Sequence, residues 1–300
     1  YRDMYTHPAT QANLTLLRER GAYVVKPEVG RLASGAIGPG RLPDTQVLLG
    51  AIGQVLGHTG DLAGRRVLVT AGGTHEPIDP VRYIGNRSSG KMGYALAKEA
   101  RDRGAHVIVV TGPVALPDPY GVEVHRVETA IQMRDAVHTF LPDIDVLVMS
   151  AAVADFRPAS PAAHKIKKDD NEVRGQHADE GEFSVRLVKN PDILGELAMT
   201  QQGQDILGDH GRPGQRLIRV GFAAETNDII TYARSKLVKK HLDLLVANDV
   251  SRSDSGFGAD TNKVLLLSAN GVIEDLPVMP KTGVAAAIWD RVVSLWGTTT

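Results

Sequence analysis

Six consecutive residues, Asn86-Arg87-Ser88-Ser89-Gly90-Lys91, gather an amide, two hydroxyls, a permissive backbone and cationic groups, a set suited to holding an anion. With Gly85 ahead of them, the spacing follows a Walker A loop up to its last position, where Met92 stands in place of the hydroxyl that binds Mg²⁺. A true P-loop also follows its strand directly. Here the strand Arg66-Val-Leu-Val-Thr70 runs into Ala71-Gly72-Gly73-Thr74, and a stretch with Pro77 and Pro80 intervenes. Two readings remain: an anion site at the start of a helix over about 91–103, where backbone N–H groups and the helix dipole both favour negative charge, or a Ser/Gly cap with no ligand.

Other segments carry chemistry of the same kind. Asp155 lies just past a strand over 145–151, where ribose hydroxyls or a base edge are bound, although an Asp before Pro158 also suits a turn. Lys165-Ile166-Lys167-Lys168, followed by Asp169 and Asp170, is either solvated surface or a flap that neutralises a departing polyphosphate. Asn190 and Pro191 read as the cap and first residue of a helix that continues through Asp192, Ile193 and Leu194. Phe222, at the end of a buried strand, is either core or a platform for a base. Lys236 and Lys240 share one helix face and either meet solvent or hold a triphosphate. No histidine pair has helical zinc spacing, no G-x-S-x-G elbow follows a strand, and no G-x-G-x-x-G closes the first strand. A metalloprotease, a serine hydrolase and an ordinary nicotinamide dehydrogenase are therefore disfavoured.

The elements that must position these residues alternate. Strands are expected over 66–71, 105–111, 122–127, 145–151, 183–188, 217–223 and 243–247, with helices near 91–103, 129–141, 191–201, 226–240 and 281–296. Continuous apolar runs such as Val107-Ile108-Val109-Val110 suit strands buried on both faces. The pattern predicts a Rossmann-like, three-layer α/β fold with a mainly parallel sheet, ending in a hairpin over 263–274 turned by Asn270-Gly271. Residues 1–57 read as a helix after Thr10 stopped by Gly21, a short strand at 23–25, a glycine-rich loop and a helix over 43–56; residues 58–64 read as a linker. The stretches 158–181 and 202–215 have loop composition and are expected to be mobile.

Bulk composition sets limits. The 300 residues carry a formal net charge of −1, so no global basic field recruits nucleic acid or an anionic membrane. The chain has no cysteine, which rules out disulfides, a thiolate nucleophile and cysteine-ligated zinc. With no apolar run long enough to span a bilayer and no signal-peptide pattern, a soluble, cytoplasmic protein is expected. The chain opens on Tyr1 rather than Met, as a fragment would.

Taken in order, these segments resemble bacterial phosphopantothenoylcysteine synthetase over about residues 65–296. The likeness rests on Thr70-Ala-Gly-Gly-Thr74, Glu76-Pro-Ile-Asp-Pro-Val-Arg-Tyr83, Asn86-Arg-Ser-Ser-Gly-Lys-Met-Gly93, Ala151-Ala-Val-Ala-Asp155, Lys165-Ile-Lys-Lys168, Lys189-Asn-Pro-Asp-Ile193 and Gly221-Phe-Ala-Ala-Glu-Thr226. It implies a ligase that joins 4′-phosphopantothenate to L-cysteine with CTP and Mg²⁺ through an acyl-cytidylate, in a homodimer; the hairpin at 263–275 is expected to form part of the interface. Asn86 and Lys165 would be catalytic. Asp155, Lys165, Pro191, Asp192, Ile193, Leu194, Phe222, Lys236 and Lys240 would bind nucleotide, while Gly72, Asn86, Ser88, Ser89, Gly90 and Ala152 would hold the intermediate.

Residues 1–57 resemble the tail of the flavin-dependent decarboxylase that bacteria fuse ahead of the synthetase, through Met4-Tyr5, His7-Pro-Ala-Thr10, Gln11-Ala-Asn13 and Leu32-Ala-Ser34-Gly35 to Gly38-Pro-Gly40-Arg41. Ser34 replaces the reactive cysteine of many members, and the front of that domain is missing, so neither FMN binding nor decarboxylation is expected of this chain. Two other readings stay open on the residues alone: a P-loop-like phosphohydrolase and a nucleotide-sensing module without turnover.

Overall fold

The computed structural model describes residues 2–167, 183–199, 216–225, 229–249 and 258–297. In chain order its helices are α1 (Arg2–Thr6), α2 (Pro8–Glu19), α3 (Thr45–Gly57), α4 (Lys91–Asp102), α5 (Ala130–Phe140), α6 (Ile193–Met199), α7 (Ile229–Lys239) and α8 (Lys281–Gly297). The strands are β1 (Glu28–Arg31), β2 (Ile37–Arg41), β3 (Arg66–Ala71), β4 (His75–Pro77), β5 (Tyr83–Gly85), β6 (His106–Thr111), β7 (Glu123–Arg126), β8 (Val146–Met149), β9 (Phe156–Pro158), β10 (Leu187–Lys189), β11 (Ile218–Glu225), β12 (Leu244–Asp249), β13 (Thr261–Asn262), β14 (Val264–Ser268), β15 (Ile273–Asp275) and β16 (Met279–Pro280).

Among the described residues one sheet of eight strands dominates, in the order β15-β14-β12-β11-β8-β3-β6-β7. The pairs from β12 to β7 are parallel, and β14 and β15 add an antiparallel edge. Period-2 alternation divides the core. Val67, Val69, Val107, Val109, Val146 and Val148 pack on the layer of α4 and α8, through Leu96, Ile288 and Trp289. Leu68, Ile108 and Leu147 face α5 and α6, through Met133, Val137, Ile193 and Leu197. Ala233 and Leu237 of α7 cover Leu245 and Ala247 on that same side of the sheet. The chain thus has the expected three-layer α/β fold with a C-terminal hairpin, in which Gly271 takes the left-handed conformation that the Asn-Gly turn requires (φ 87°).

Three expectations are corrected. Residues 23–25 form no strand; Pro27 supplies no amide hydrogen, and the strands lie further on, where the glycine-rich segment forms the hairpin β1–β2. Most of 183–188 is not sheet: only Leu187–Lys189 pairs, with β9, outside the central sheet, and Phe183 and Leu187 are exposed. Nor is 58–64 a free tether. Leu62 is fully buried and donates its N–H to the Arg103 carbonyl (3.0 Å), and a Cβ on Gly60 would sit 2.4 Å from that oxygen. Of the stretches expected to be mobile, 168–181 and all of 202–215 lie outside the described residues, while Pro158 ends β9.

Helices α4 and α8 pack against each other on one face of the sheet. Trp289 is fully buried and its Nε1–H donates to the Leu96 carbonyl at 3.0 Å. Arg103 adds ion pairs to Glu99 (2.9 Å) and Asp290 (2.7 Å). Trp289→Ala should therefore lower stability by about 3–5 kcal/mol in chemical denaturation. A loss below about 1 kcal/mol would show that this contact does not hold the layer.

Candidate active site

The loop after β8 runs across the carboxyl ends of the sheet, and its backbone groups need partners there. Thr70 accepts from the Ala151 N–H (3.2 Å) and Thr74 from the Ala154 N–H (2.9 Å). Gly72 accepts from Ala152 N–H at 2.8 Å. The Asn86 amide nitrogen lies 3.2 Å from both the Ala152 and Val153 carbonyls, and Asn190 Nδ2 donates to the Ala154 carbonyl at 2.8 Å. The two threonines of Thr70-Ala-Gly-Gly-Thr74 therefore serve as ties for this loop. Glu76 is likewise structural: it is buried and accepts from the Ala130 N–H at the start of α5 (2.9 Å).

Above this loop is a cavity of about 710 Å³. Asn86, Ser88, Ser89 and Gly90 line it, with Ala152, Asp155, Pro191, Asp192, Ile193, Leu194, Phe222, Lys236 and Lys240. Nearly all the expected site residues, spread over more than 150 positions of sequence, thus meet at one place. Gly72 lies beneath, through its bond to Ala152. Lys165 is the exception. It is exposed and does not line the cavity; its neighbour Ile166 is held from below, donating to Asp79 (3.2 Å) and accepting from Arg82 (3.0 Å). Lys168 lies outside the described residues.

Local structure explains the placements. Gly90 precedes α4 in a left-handed conformation (φ 76°) with no side-chain cap, so the first-turn N–H groups of α4 open towards the cavity. Met92 packs against the core, so the position that carries a metal-binding hydroxyl in a P-loop is apolar filling here. Asn190 does not cap α6 as expected. The helix starts at Ile193 and Asp192 caps it, accepting from the Gly195 N–H (3.0 Å), which frees Asn190 for the β8 loop. Lys236 donates to the Phe222 carbonyl (2.8 Å), and Lys240 pairs with Asp192. Burial pushes the Lys240 pKa down.

Among the lining residues that sequence reasoning did not single out are Asn248, Asn262 and Lys281. Asn248 lies on β12 just past the expected end of that strand, where the same rule that selected Asp155 would have found it. Asn262 is buried and directs its Nδ2 to Asn248 Oδ1 (3.3 Å), a contact no motif announces. Lys91 lines the cavity too and pairs with Asp260 at 2.7 Å. The lining as a whole carries five lysines (91, 189, 236, 240 and 281) against two aspartates. In a chain of net charge −1 this is a local concentration of positive charge, suited to a polyanion. Among the described residues no cluster of three or more His, Asp or Glu is placed to hold a metal, and no helix is long and apolar enough to cross a membrane.

A mainly parallel sheet with a lysine-rich cavity at the carboxyl ends of its strands is an α/β architecture suited to an anionic ligand. Comparison with known proteins narrows this. Residues 62–295 match the family described as the DNA/pantothenate metabolism flavoprotein C-terminal domain, and the chain belongs to it. It is 46% identical over 303 residues to the coenzyme A biosynthesis bifunctional protein CoaBC of Mycobacterium tuberculosis, covering 97% of this chain and 68% of that protein. With the Escherichia coli protein of the same name it shares 41% over 291 residues (97% and 67%). The crystal structure of the C-terminal domain of a CoaBC protein superposes with a TM-score of 0.62 at 34% identity, covering 79% of this chain and 98% of the other.

Asp79 offers a test of how the Lys165 segment is anchored. The Arg82 guanidinium (Nε 3.0 Å), with backbone N–H groups of Val81, Arg82 and Ile166, holds its carboxyl well below the usual carboxylate range. A lowered folded pKa stabilises the fold above the unfolded value of about 3.9, and that contribution is lost as pH falls towards the folded pKa. Asp79→Asn should thus be less stable than wild type at pH 7, with urea midpoints converging between about pH 4 and pH 2. A gap that stays constant across that range would contradict the anchoring role.

Proposed function

We propose that this chain is a ligase that joins (R)-4′-phosphopantothenate to L-cysteine at the expense of CTP, in coenzyme A biosynthesis. The observation that carries this reading is the single cavity in which an anion-binding helix start, an amide fixed by two carbonyls and five lysines converge. Its support is membership of a family whose relatives are named for coenzyme A biosynthesis. In the first step the pantothenate carboxylate attacks the α-phosphorus of CTP. The bond from that phosphorus to the bridging oxygen breaks, and pyrophosphate leaves. In the second, the cysteine amine attacks the acyl carbon, loses a proton, and displaces CMP.

The first step brings a carboxylate up to a polyanion, so its barrier depends on neutralising charge. Lys236 and Lys240 would bind the nucleotide beside Phe222, with Asp155 and the Pro191–Leu194 segment on its nucleoside part, and Mg²⁺ would arrive on the triphosphate as part of the substrate. Lys165 would stabilise the departing pyrophosphate, a role carried by its motif, since the residue stands outside the cavity lining. Asn86 would act in the second step. With its amide nitrogen held by two carbonyls, its Oδ1 is the atom offered to the reactants; Ser88, Ser89 and Gly90 would hold the phosphoryl group of the intermediate. Residues 1–57 read as the end of a decarboxylase domain and 65–300 as the synthetase. A homodimer is part of the same reading, with the edge strand β15 and its hairpin, at one end of the sheet, as part of the interface.

The test is product analysis with CTP, ATP and GTP in parallel. The amide and CMP are expected with CTP. Equal turnover with ATP would overturn the nucleotide assignment, and no amide with any nucleotide would overturn the ligase. Lys165→Gln should slow CTP-dependent pyrophosphate release by about 10²-fold, and an unchanged rate would remove the role given to Lys165. Asn86→Asp should still form the acyl-cytidylate yet consume it with cysteine about 10-fold to 100-fold more slowly. Equal loss of both steps would contradict its placement in the second.

A further inference from the structure

Lys281 is the buried cation of this cavity that the proposed reaction leaves without a task. It is the first residue of α8, lines the cavity and is only 7% exposed. Its ammonium donates to the Ala259 carbonyl and its backbone N–H to the Asp260 carbonyl at 3.0 Å. Three features of this placement oppose the fold. Burial strips water from a full charge. The positive end of a helix dipole repels a cation. Lys91, first residue of α4 and a lining residue itself, adds a like charge; burial and that neighbour both push the Lys281 pKa down. The nearby carboxylate, Asp260, pairs with Lys91 at 2.7 Å, and its side chain is 89% exposed, so it is a weakly held counter-ion that an entering anion can displace.

The two helices also belong to the layer opposite α7. Lys236 and Lys240 therefore approach the cavity from one side of the sheet, and Lys91 and Lys281 from the other. A reaction between two phosphate-bearing substrates, joined at a carboxylate and an α-phosphorus, has phosphoryl groups to hold on both sides of the reacting atoms. We infer that Lys281 is a phosphoryl-binding residue of the active-site cavity, acting with Lys91 on the side opposite Lys236 and Lys240. This rests on the ligase reading for its substrates but not for its chemistry: the group bound is a phosphate ester or anhydride, either the 4′-phosphate of the acid or the β,γ-phosphates of the nucleotide.

Titration of inorganic phosphate and inorganic pyrophosphate into the 300-residue chain tests it directly. Lys281→Met should weaken at least one of the two anions by about 10-fold or more, while Lys281→Arg, which keeps the charge, should stay within about 3-fold of wild type. Unchanged affinity of Lys281→Met for both anions would overturn the inference. The steady-state arms separate the sources: a raised KM for 4′-phosphopantothenate alone assigns the 4′-phosphate, and a raised KM for CTP alone assigns the β,γ-phosphates. If Lys281→Met does not fold, the ε-carbon resonance of Lys281 in ¹³C-lysine wild-type protein decides, with assignment through Lys281→Arg. A shift that saturates with either anion supports the role, and no shift with both overturns it. Wild-type protein that makes no amide would sink the ligase reading alone, since the anion titrations would still judge Lys281.

Discussion

A loop that crosses the end of a parallel sheet in the middle of an active site has many backbone polar groups and little water to satisfy them. Residues 150–155 meet that constraint through other segments: Thr70 near the end of β3, Gly72 and Thr74 from the loop after it, Asn86 from the segment before α4, and Asn190 from the segment before α6. Each partner is a fixed hydrogen bond to one short stretch of chain. Meeting the loop's needs therefore brings the start of α4, the cap of α6 and the carboxyl ends of β3 and β8 to one point. The cavity is a consequence of that convergence; Lys91 and Lys281 reach it from the α4 and α8 layer, Lys236 and Lys240 from α7 and its end, and Lys189 from β10.

Positive charge is then the property the site concentrates. At the carboxyl ends of a sheet buried on both faces, ammonium groups and the starts of α4 and α8 face one cavity. The lysines have partners within the chain: Asp192 for Lys240, Asp260 for Lys91, and the Phe222 and Ala259 carbonyls among those of Lys236 and Lys281. Two of these partners, Asp192 and Asp260, are carboxylates with well-exposed side chains.

How much of this was legible in the sequence follows from the range of the interactions. Apolar runs at 67–69, 107–110 and 146–149 have to be strands buried on both faces, because nothing else pays the entropy of ordering them, so the fold was readable. The site residues were legible as ordered motifs, since each sits at a strand end or helix start that periodicity locates. What local reasoning missed depends on partners far away in sequence. Asn190 reads as a helix cap until the β8 loop claims it and Asp192 takes over the cap. Residues 58–64 read as a linker because their glycines are compatible with a turn, while in the structure Gly60 allows a close approach to the carbonyl of Arg103. Asn262 and Lys281 belong to no motif, and only the packing of α8 on α4 and of β13 on β16 brings them to the cavity.

The central claim is that one cavity carries out two steps in order, acyl-cytidylate formation and then amine attack. Rapid-quench analysis with enzyme in excess over CTP, in the presence of 4′-phosphopantothenate and Mg²⁺ but without cysteine, tests it most directly. The account predicts prompt pyrophosphate release with the cytidylyl group retained on the acid, and CMP only after cysteine is added. Pyrophosphate that appears only with cysteine, or CMP released at the same rate without it, would contradict the account.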